Sequence, residues 1–426
     1  DDTTVDLRGS GTPIIEYRES IFMPYVEITA YIIDTGNTLP ADDGAGSGVG
    51  LLDAGLAQGT ETILFNIEDE FGNSINFTRN DDLRVASVMG NEQGFSSNSF
   101  QLKIVSKEAF DNTLLKNRCN NKYSGRISDI ARDIMRENLK SRKWHSMNTD
   151  ETLSEFHGWG DDRPPFEMLL DMQLLAIPNI QTSKGKTARG NTAGYLFWQT
   201  SMGYQFKSLD KLFDLTDKIV PRYIENSKGD ESLPVGYNGK ILWSNMSQSV
   251  DALGQFESGA WSSEIHVFND VDKTYQVKTL QSDGKGNGIL AGRHLPQINN
   301  DYLDEDGKPL PTAKKSVRQA VGQTIVGTDS LKNQVEKFDK INYNVEDIVA
   351  QANQNYRQKM SVSAEIVITA DLSLNAGDLI YCEFPELSTK VTKIGSRTRK
   401  SGIYMIADLC HYGDRGNAFT GLHLVR

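Results

Sequence analysis

The chain of 426 residues has few cysteines and no long apolar run, and each shortage excludes a class of protein. Its three cysteines are odd in number and far apart, which argues against a disulfide framework and indicates a reducing compartment. No stretch approaches the roughly 18 apolar residues that a membrane span requires. The first residues, Asp1–Thr4, form neither a basic nor an apolar segment, so we expect no export signal.

Cations are also scarce relative to anions. The chain has 45 Lys and Arg against 57 Asp and Glu, a net charge of −12. Because proteins hold nucleic acids by neutralising phosphates with cations, this balance argues against tight non-specific binding, although a nucleic acid can pass such a surface without being held. The length predicts about two to four domains. The aromatic content, 17 Phe, 15 Tyr and 5 Trp, suffices for more than one core.

Two short segments imitate catalytic motifs, and both are incomplete. Gly185-Lys186-Thr187 resembles the end of a phosphate-binding loop, but Ile180 stands where that loop needs a glycine. We interpret it as a basic surface loop. Asp34-Thr35-Gly36 follows a predicted strand, but aspartic protease chemistry needs a facing pair of such motifs and this chain has one. We interpret Asp34 as part of a turn.

Metal-binding patterns are incomplete as well. If Gly307 is placed at position six of a calcium loop, Tyr302 and Ala313 occupy positions that need acidic ligands. The six histidines are scattered, and no paired cysteine motif or nucleophile elbow is present. We therefore assign no catalytic, cofactor-binding or metal-binding residue, and we predict that the protein is not an enzyme.

Two polar segments leave alternatives open. Trp159, within the segment 157–162, belongs either to a binding loop or, more often for such a residue, to a core beneath a glycine turn. The basic residues Lys393, Arg397, Arg399 and Lys400 indicate a solvated hairpin tip, with a contact to an acidic partner as the alternative.

The hydrophobic periodicity predicts β-structure at both ends of the chain and helices in the middle. Alternation with a period of two predicts strands over 25–33, 63–67, 100–104, 364–369, 378–384, 403–410 and 419–425, and a hairpin over 195–206. Helical spacing predicts helices over 127–139, from Pro165 to a stop at Pro178, and from Ser330 and Asn344. The glycine-rich stretch 42–50 is predicted to be a long loop.

The order of four stretches resembles the baseplate central hub proteins of contractile-tailed, T-even-like phages. The stretches are Glu16–Phe22 with Tyr25–Asp34; Ser99–Glu108 with the helix 127–139; Arg163–Glu167 with Gly194–Trp198 and Gly203–Leu209; and Asn375–Ile380 with Ser401–Ile406 and His411. They cover most of the chain in the expected order. The segments 41–59 and 308–326 match nothing in this pattern.

The resemblance implies a β-rich α+β fold with two tail-tube-like antiparallel β-barrels and a helix-containing outer module. The first barrel is expected over residues 1–107. The second is expected to be discontinuous, over 216–270 and 345–426. The outer module is expected over 108–215, with 271–344 supplying more of it together with connecting helices.

The resemblance also implies a structural function in the virion, with assembly in the host cytoplasm. The family forms a homotrimer, and two barrels per chain give a pseudo-sixfold ring between a threefold spike and a sixfold tail tube. The implied partners are other copies of the chain, the central spike protein, the tube initiator and tube proteins, and the baseplate wedge proteins. Viral DNA would pass through the lumen without specific binding, and no cofactor is implied.

Two other functions remain open at this stage. One is a tail-associated, β-rich module that binds a receptor or glycan. The other is a hydrolase of the same tail, for which Asp34 would be the residue to test.

Overall fold

We describe a computed structural model of the chain. It describes residues 5–281, 307, 345–385 and 400–426, except for 8–10, 37–38, 41–47, 54, 56–58, 60, 79–80, 82, 95, 154, 180–191, 215–218, 226–238, 249–250, 252, 255–256, 258–259, 261 and 270–272. The predicted helix at Ser330 and the segment 308–326 lie outside these residues. Among the described helices, none is both long and apolar enough to cross a membrane.

The N-terminal part of the chain is almost entirely β. Its strands are β1 (Ile14–Ser20), β2 (Glu27–Asp34), β3 (Leu39–Pro40), β4 (Gly48–Val49), β5 (Thr62–Ile63), β6 (Phe65–Glu68), β7 (Ser74–Phe77), β8 (Leu83–Gln93) and β9 (Asn98–Ser106). The period of two explains them, because Ile28 and Ile32 of β2 are buried while Ile33 between the strand faces is exposed.

The middle part contains short helices and hairpins, and we call its described residues 107–214 the helical module. Its elements are α1 (Lys107–Asp111), β10 (Lys122–Arg126), α2 (Ile127–Asp133), β11 (Asn148–Thr149), β12 (Glu155–Trp159), α3 (Pro165–Leu175), β13 (Tyr195–Thr200), β14 (Gly203–Ser208) and α4 (Leu209–Leu212). α2 continues into a π-helical turn, Ile134–Asn138. α3 begins at Pro165, where a missing N–H costs no helical hydrogen bond, and it ends three residues before Pro178.

The last part returns to β-structure as predicted. Its elements are β15 (Arg222–Glu225), β16 (Lys240–Gln248), β17 (Ser262–Asn269), β18 (Thr274–Gln281), α5 (Val345–Lys359), β19 (Ser363–Thr369), β20 (Leu379–Glu383), β21 (Gly402–Asp414) and β22 (Ala418–Val425).

Six of these strands close into a ring, which we call the barrel. The order is β20-β15-β16-β19-β22-β21, and pairing of β20 with β21 closes it. The β-rich α+β class is therefore confirmed. One strand departs from the expected antiparallel pattern, since β15 runs parallel to both β16 and β20. The connection between Glu225 and Lys240 is long enough for the crossover that parallel neighbours need.

The N-terminal strands continue the same sheet. β1 pairs with β21 from Ile14↔Asp414 to Ser20↔Asp408, and the order then runs β1-β2-β9-β8-β5. We call these five strands the first sheet. Among the described pairings the run ends at β5, so closure of the first sheet into a second barrel remains a prediction, as do the domain boundaries.

The core follows this continuity. One apolar cluster contains Tyr17 and Phe100 from the first sheet together with Ile366 and Tyr404 from the barrel. The helical module has its own core, in which Ile130 and Leu169 of the helices meet Phe197 and Phe206 of the hairpin β13–β14. A smaller cluster joins the three parts, and it includes Ile21, Trp198, Leu209, Met405 and Val425.

Gly377 allows the barrel to approach Trp198 of the helical module. Its φ is +93°, and a Cβ built there would lie 2.6 Å from Cζ2 of Trp198. Gly72 has a similar φ of +83° with no atom within 4 Å of such a Cβ. The two glycines thus share the backbone constraint and differ in the close approach.

We predict that Gly377→Ala lowers the free energy of unfolding by about 3 kcal/mol, because it adds a clash with a buried ring to the cost of a left-handed Ala. Gly72→Ala, the matched control, should cost about 1 kcal/mol for the backbone alone. Denaturant unfolding of both variants measures the difference. Equal losses would show that the approach to Trp198 is not tight.

Candidate functional site: a buried junction of three chain segments

The buried carboxylate of Glu19 lies where the first sheet, the helical module and the barrel meet. Glu19 is next to the end of β1, which is paired on both edges, and its exposed fraction is 2%. Its Oε1 accepts hydrogen bonds from the Tyr17 hydroxyl (2.7 Å) and the Ser201 amide (2.6 Å). Its Oε2 accepts one from the Ala376 amide (2.8 Å). Each donor comes from a different part of the chain, so one side chain connects all three.

Burial dominates the electrostatics of this carboxylate. Removal from water raises the pKa of Glu19 to about 7, and the negative charge of Asp378 acts in the same direction. The hydrogen bonds from Tyr17, Ala376 and Ser201 lower the pKa without cancelling that effect. Burial and the neighbouring Glu19 also hold the pKa of Tyr17 well above its usual range. The described charged groups that act on Glu19 therefore disfavour its ionised form.

The hairpin β13–β14 makes three further polar contacts across the junction. The Trp198 indole N–H donates to the Ala376 carbonyl (3.0 Å), and the Ser201 hydroxyl donates to Oδ1 of Asn375 (2.9 Å). Oε1 of Gln199 accepts from the Val26 amide (3.1 Å), at the start of β2. These contacts satisfy groups that the junction buries, and they fix the hairpin against both the first sheet and the barrel.

A buried ion pair connects the helical module to α5. Nζ of Lys359 lies 2.6 Å from Oδ1 of Asp210, and the two side chains are 6% and 2% exposed. Oδ2 of Asp210 accepts from the amide (2.8 Å) and hydroxyl (2.6 Å) of Thr192. Burial lowers the pKa of Lys359, while the negative charge of Asp210 opposes that effect. The pair has the additional hydrogen bonds that a buried ion pair needs.

The junction has a structural rather than a catalytic chemistry. Its polar atoms are occupied in holding backbone amides and carbonyls of other segments, and apolar side chains such as Ile21 and Leu209 surround them. Within the described residues, no group of three or more His, Cys, Asp or Glu side chains is arranged to hold a metal.

Asp34, the residue of the protease-like motif, lies in a turn at the end of β2. Its Oδ1 accepts from the Gly36 amide (3.0 Å) and its Oδ2 from the Leu51 amide (2.5 Å). The buried carboxylate therefore holds the chain reversal and the loop that returns at Leu51. This is the role that turn chemistry predicts for Asp34.

Trp159 does not fill a core, so the expectation of a buried indole was wrong. It is 62% exposed, on the face of the hairpin β10–β12 opposite the buried Tyr123. Gly160 next to it approaches the Cys119 carbonyl too closely for any Cβ, which turns the chain before the indole can fold inward. The glycine was visible in the sequence, but its effect depends on the neighbouring strand.

The same exposed face carries a relay of hydrogen-bonding side chains. Ser124 Oγ lies 2.8 Å from Nδ1 of His157, whose Nε2 lies 3.3 Å from Glu155. The residue types are those of a hydrolase triad. However, the side chains stand on an exposed two-stranded ribbon, where water competes with the electrostatic stabilisation that such chemistry requires.

Several sequence candidates lie outside the described residues. These are Gly185–Thr187, the acidic segment before Gly307, and the basic residues Lys393, Arg397 and Arg399.

The sequence analysis did not single out Glu19 as a site residue. The signal was its position two residues after Tyr17, on the same face of a strand, which places an acid in line with a core aromatic.

We predict that Lys359→Met lowers the free energy of unfolding by about 3–5 kcal/mol, because it leaves the Asp210 carboxylate buried without its cation. The double variant Lys359→Met/Asp210→Asn should recover most of that loss. Arg136→Met, which removes an exposed pair with Glu137, should cost at most about 1 kcal/mol. Thermal or denaturant unfolding compares the three. A small loss for the single buried substitution would mean that water reaches the pair.

Comparisons with known proteins give low-scoring structural matches only. No family profile and no curated protein matches the chain. A 43 kDa tail protein of a prophage from Shewanella oneidensis is 10% identical, with a TM-score of 0.45 over 98% of this chain and 94% of that one. A tail protein from Neisseria meningitidis is 9% identical, with a TM-score of 0.46 over 98% and 92%. An Escherichia coli component of the type VI secretion system is 8% identical, with a TM-score of 0.43 over 99% and 76%. Scores below 0.5 at such identities carry no argument about what this chain does.

Proposed function

We propose that this chain is the structural central hub of a contractile phage tail baseplate. As a homotrimer in the virion, it adapts a threefold spike to a sixfold tail tube and forms the exit channel for DNA. The observation that carries the proposal is the shared sheet: the closed barrel and the first sheet are joined edge to edge through β1 and β21. The four stretches that resemble the hub family lie in or next to these elements.

Symmetry explains why two β-modules in one chain suit this role. Three chains with two similar β-modules each place six such modules around one axis, so a threefold partner and a sixfold partner can both be matched. A rigid link between the two modules is needed to keep the six positions equivalent. The β1–β21 pairing and the Glu19 junction supply such a link.

The charge of the chain suits a channel rather than a nucleic-acid binding site. A net charge of −12 repels phosphates, so DNA would pass without being retained. The proposed partners are further copies of this chain, the central spike protein, the tube initiator and tube proteins, and the wedge proteins. No catalytic step is part of this proposal.

The barrel exposes an apolar patch that suits a contact between copies. Leu242 and Trp243 of β16 are exposed, and Trp243 is 52% accessible. A register shift lies between Ile241 and Trp243 in the pairing with β19, so two successive apolar side chains face outward. Neighbouring large apolar side chains on a surface mark sites of protein contact.

We predict a solution mass of about 142 kDa by light scattering, three times the 47.4 kDa chain, either alone or after addition of spike protein. Leu242→Ser/Trp243→Ser should shift the mass toward that of a single chain. Trp159→Ser, which removes a similarly exposed indole from the helical module, should leave the trimer intact. A monomer that ignores spike protein would contradict the hub.

A receptor- or glycan-binding function is the second candidate, and the exposed hairpin face favours it. Trp159 lies opposite Lys122 across the hairpin, and the Ser124–His157–Glu155 relay is on the same face. An accessible indole beside fixed hydrogen-bonding groups can stack on a sugar and bind its hydroxyls.

We predict that, if this face binds host-envelope carbohydrate, adding that carbohydrate will change the intrinsic fluorescence of the protein at saturating concentration. Trp159→Ser should abolish the change and Trp243→Ser should preserve it. No change in the unmodified protein would remove this candidate.

A further inference from the structure

We propose that Glu19 is a proton-controlled clasp that holds the hairpin β13–β14 and the loop before β20 against the first sheet when protonated and loosens them when ionised. The proposal does not depend on the hub function. It rests on the convergence of three parts of the chain on one buried acid.

Geometry makes the carboxylate a point of coupling. The Ser201 amide is in the turn between β13 and β14, and the Ala376 amide precedes β20, so neither belongs to the strand that carries Glu19. Each amide is bonded to a different oxygen of the same group. Water can replace Glu19 at either amide only if the hairpin or the loop moves away from β1.

The groups that face Glu19 come from every element packed around it. β1 contributes the Tyr17 hydroxyl, and the barrel loop contributes the carboxylate of Asp378, whose charge acts on Glu19. The imidazole of His411 on β21 is stacked on the Tyr17 ring, and burial lowers its pKa to about 4, so it is neutral at higher pH. The hairpin turn contributes the hydroxyl and amide of Ser201. These described neighbours therefore place no positive charge on Glu19 near neutral pH.

The sign of the effect follows from these surroundings. A solvated glutamate loses its proton near pH 4.5, whereas Glu19 in the closed junction holds it to about pH 7. The closed state therefore binds more protons than the open one between these values, and its stability falls as the pH rises through that window. The ionised form remains hydrogen-bonded, but as a buried charge it favours the state in which water enters.

Hydrogen exchange at the Ser201 and Ala376 amides tests the clasp locally. In the unmodified protein, their protection factors should fall on the order of 30-fold between pH 5.5 and pH 8, after correction for intrinsic exchange. Glu19→Gln keeps the size and removes the charge, so protection at the two amides should become independent of pH. Glu137→Gln, on an exposed helix face, should behave like the unmodified protein.

His423 must be separated from this effect, because its bond to Asp408 raises its pKa and gives a pH dependence of the same sign. His423→Gln should leave the two amides pH-dependent. If Glu19→Gln fails to fold, the carboxyl carbon of Glu19 can be titrated by NMR in the unmodified protein, with an expected midpoint near 7. A midpoint near 4.5, or unchanged protection between the two pH values, would overturn the proposal.

Discussion

Burial of one carboxylate against three separate parts of the chain is the constraint on which the arrangement of the molecule depends. Glu19 cannot reach solvent, because β1 is hydrogen-bonded on both edges. Its oxygens therefore need donors from other segments, and only one placement of the β13–β14 turn and of the loop at Ala376 supplies them. The surrounding apolar cluster provides most of the favourable free energy, and the carboxylate determines the geometry in which that cluster forms.

The pairing of β1 with β21 gives this junction its rigidity. β21 is long enough to pair with β20 at Gly402-Ile403-Tyr404-Met405 and with β1 from Asp408 onward, so it belongs to the barrel and to the first sheet at once. A hinge between two independent domains would allow them to reorient, whereas a continuous ladder of backbone hydrogen bonds does not. The two sheets consequently share one core, and a change at Glu19 acts on the position of the helical module rather than on the sheets.

The sequence predicted the local elements well and the junction poorly, for a physical reason. Strands such as β2 and β19 and the helix α3 depend on periodicity and on proline, which are local, and they were confirmed. Closure of the barrel depends on pairing between residues 222–225 and 379–383, which no local pattern specifies. The parallel direction of β15, the exposure of Trp159 and the burial of Glu19 are likewise set by partners more than 100 residues away or by a facing strand.

The helical module is fastened by two polar contacts that respond differently to protons. At Asp210 the buried charge has a cation, Lys359, and two hydrogen bonds from Thr192, so the ionised pair is the form that burial tolerates. At Glu19 the described neighbours are hydrogen-bond donors and a second acid, so burial favours the neutral form. A rise in pH therefore weakens the attachment at the β13–β14 turn and leaves the attachment at α4 and α5 in place. A module held in this way would pivot about Asp210 rather than detach, because only one of its two anchors changes charge near neutral pH.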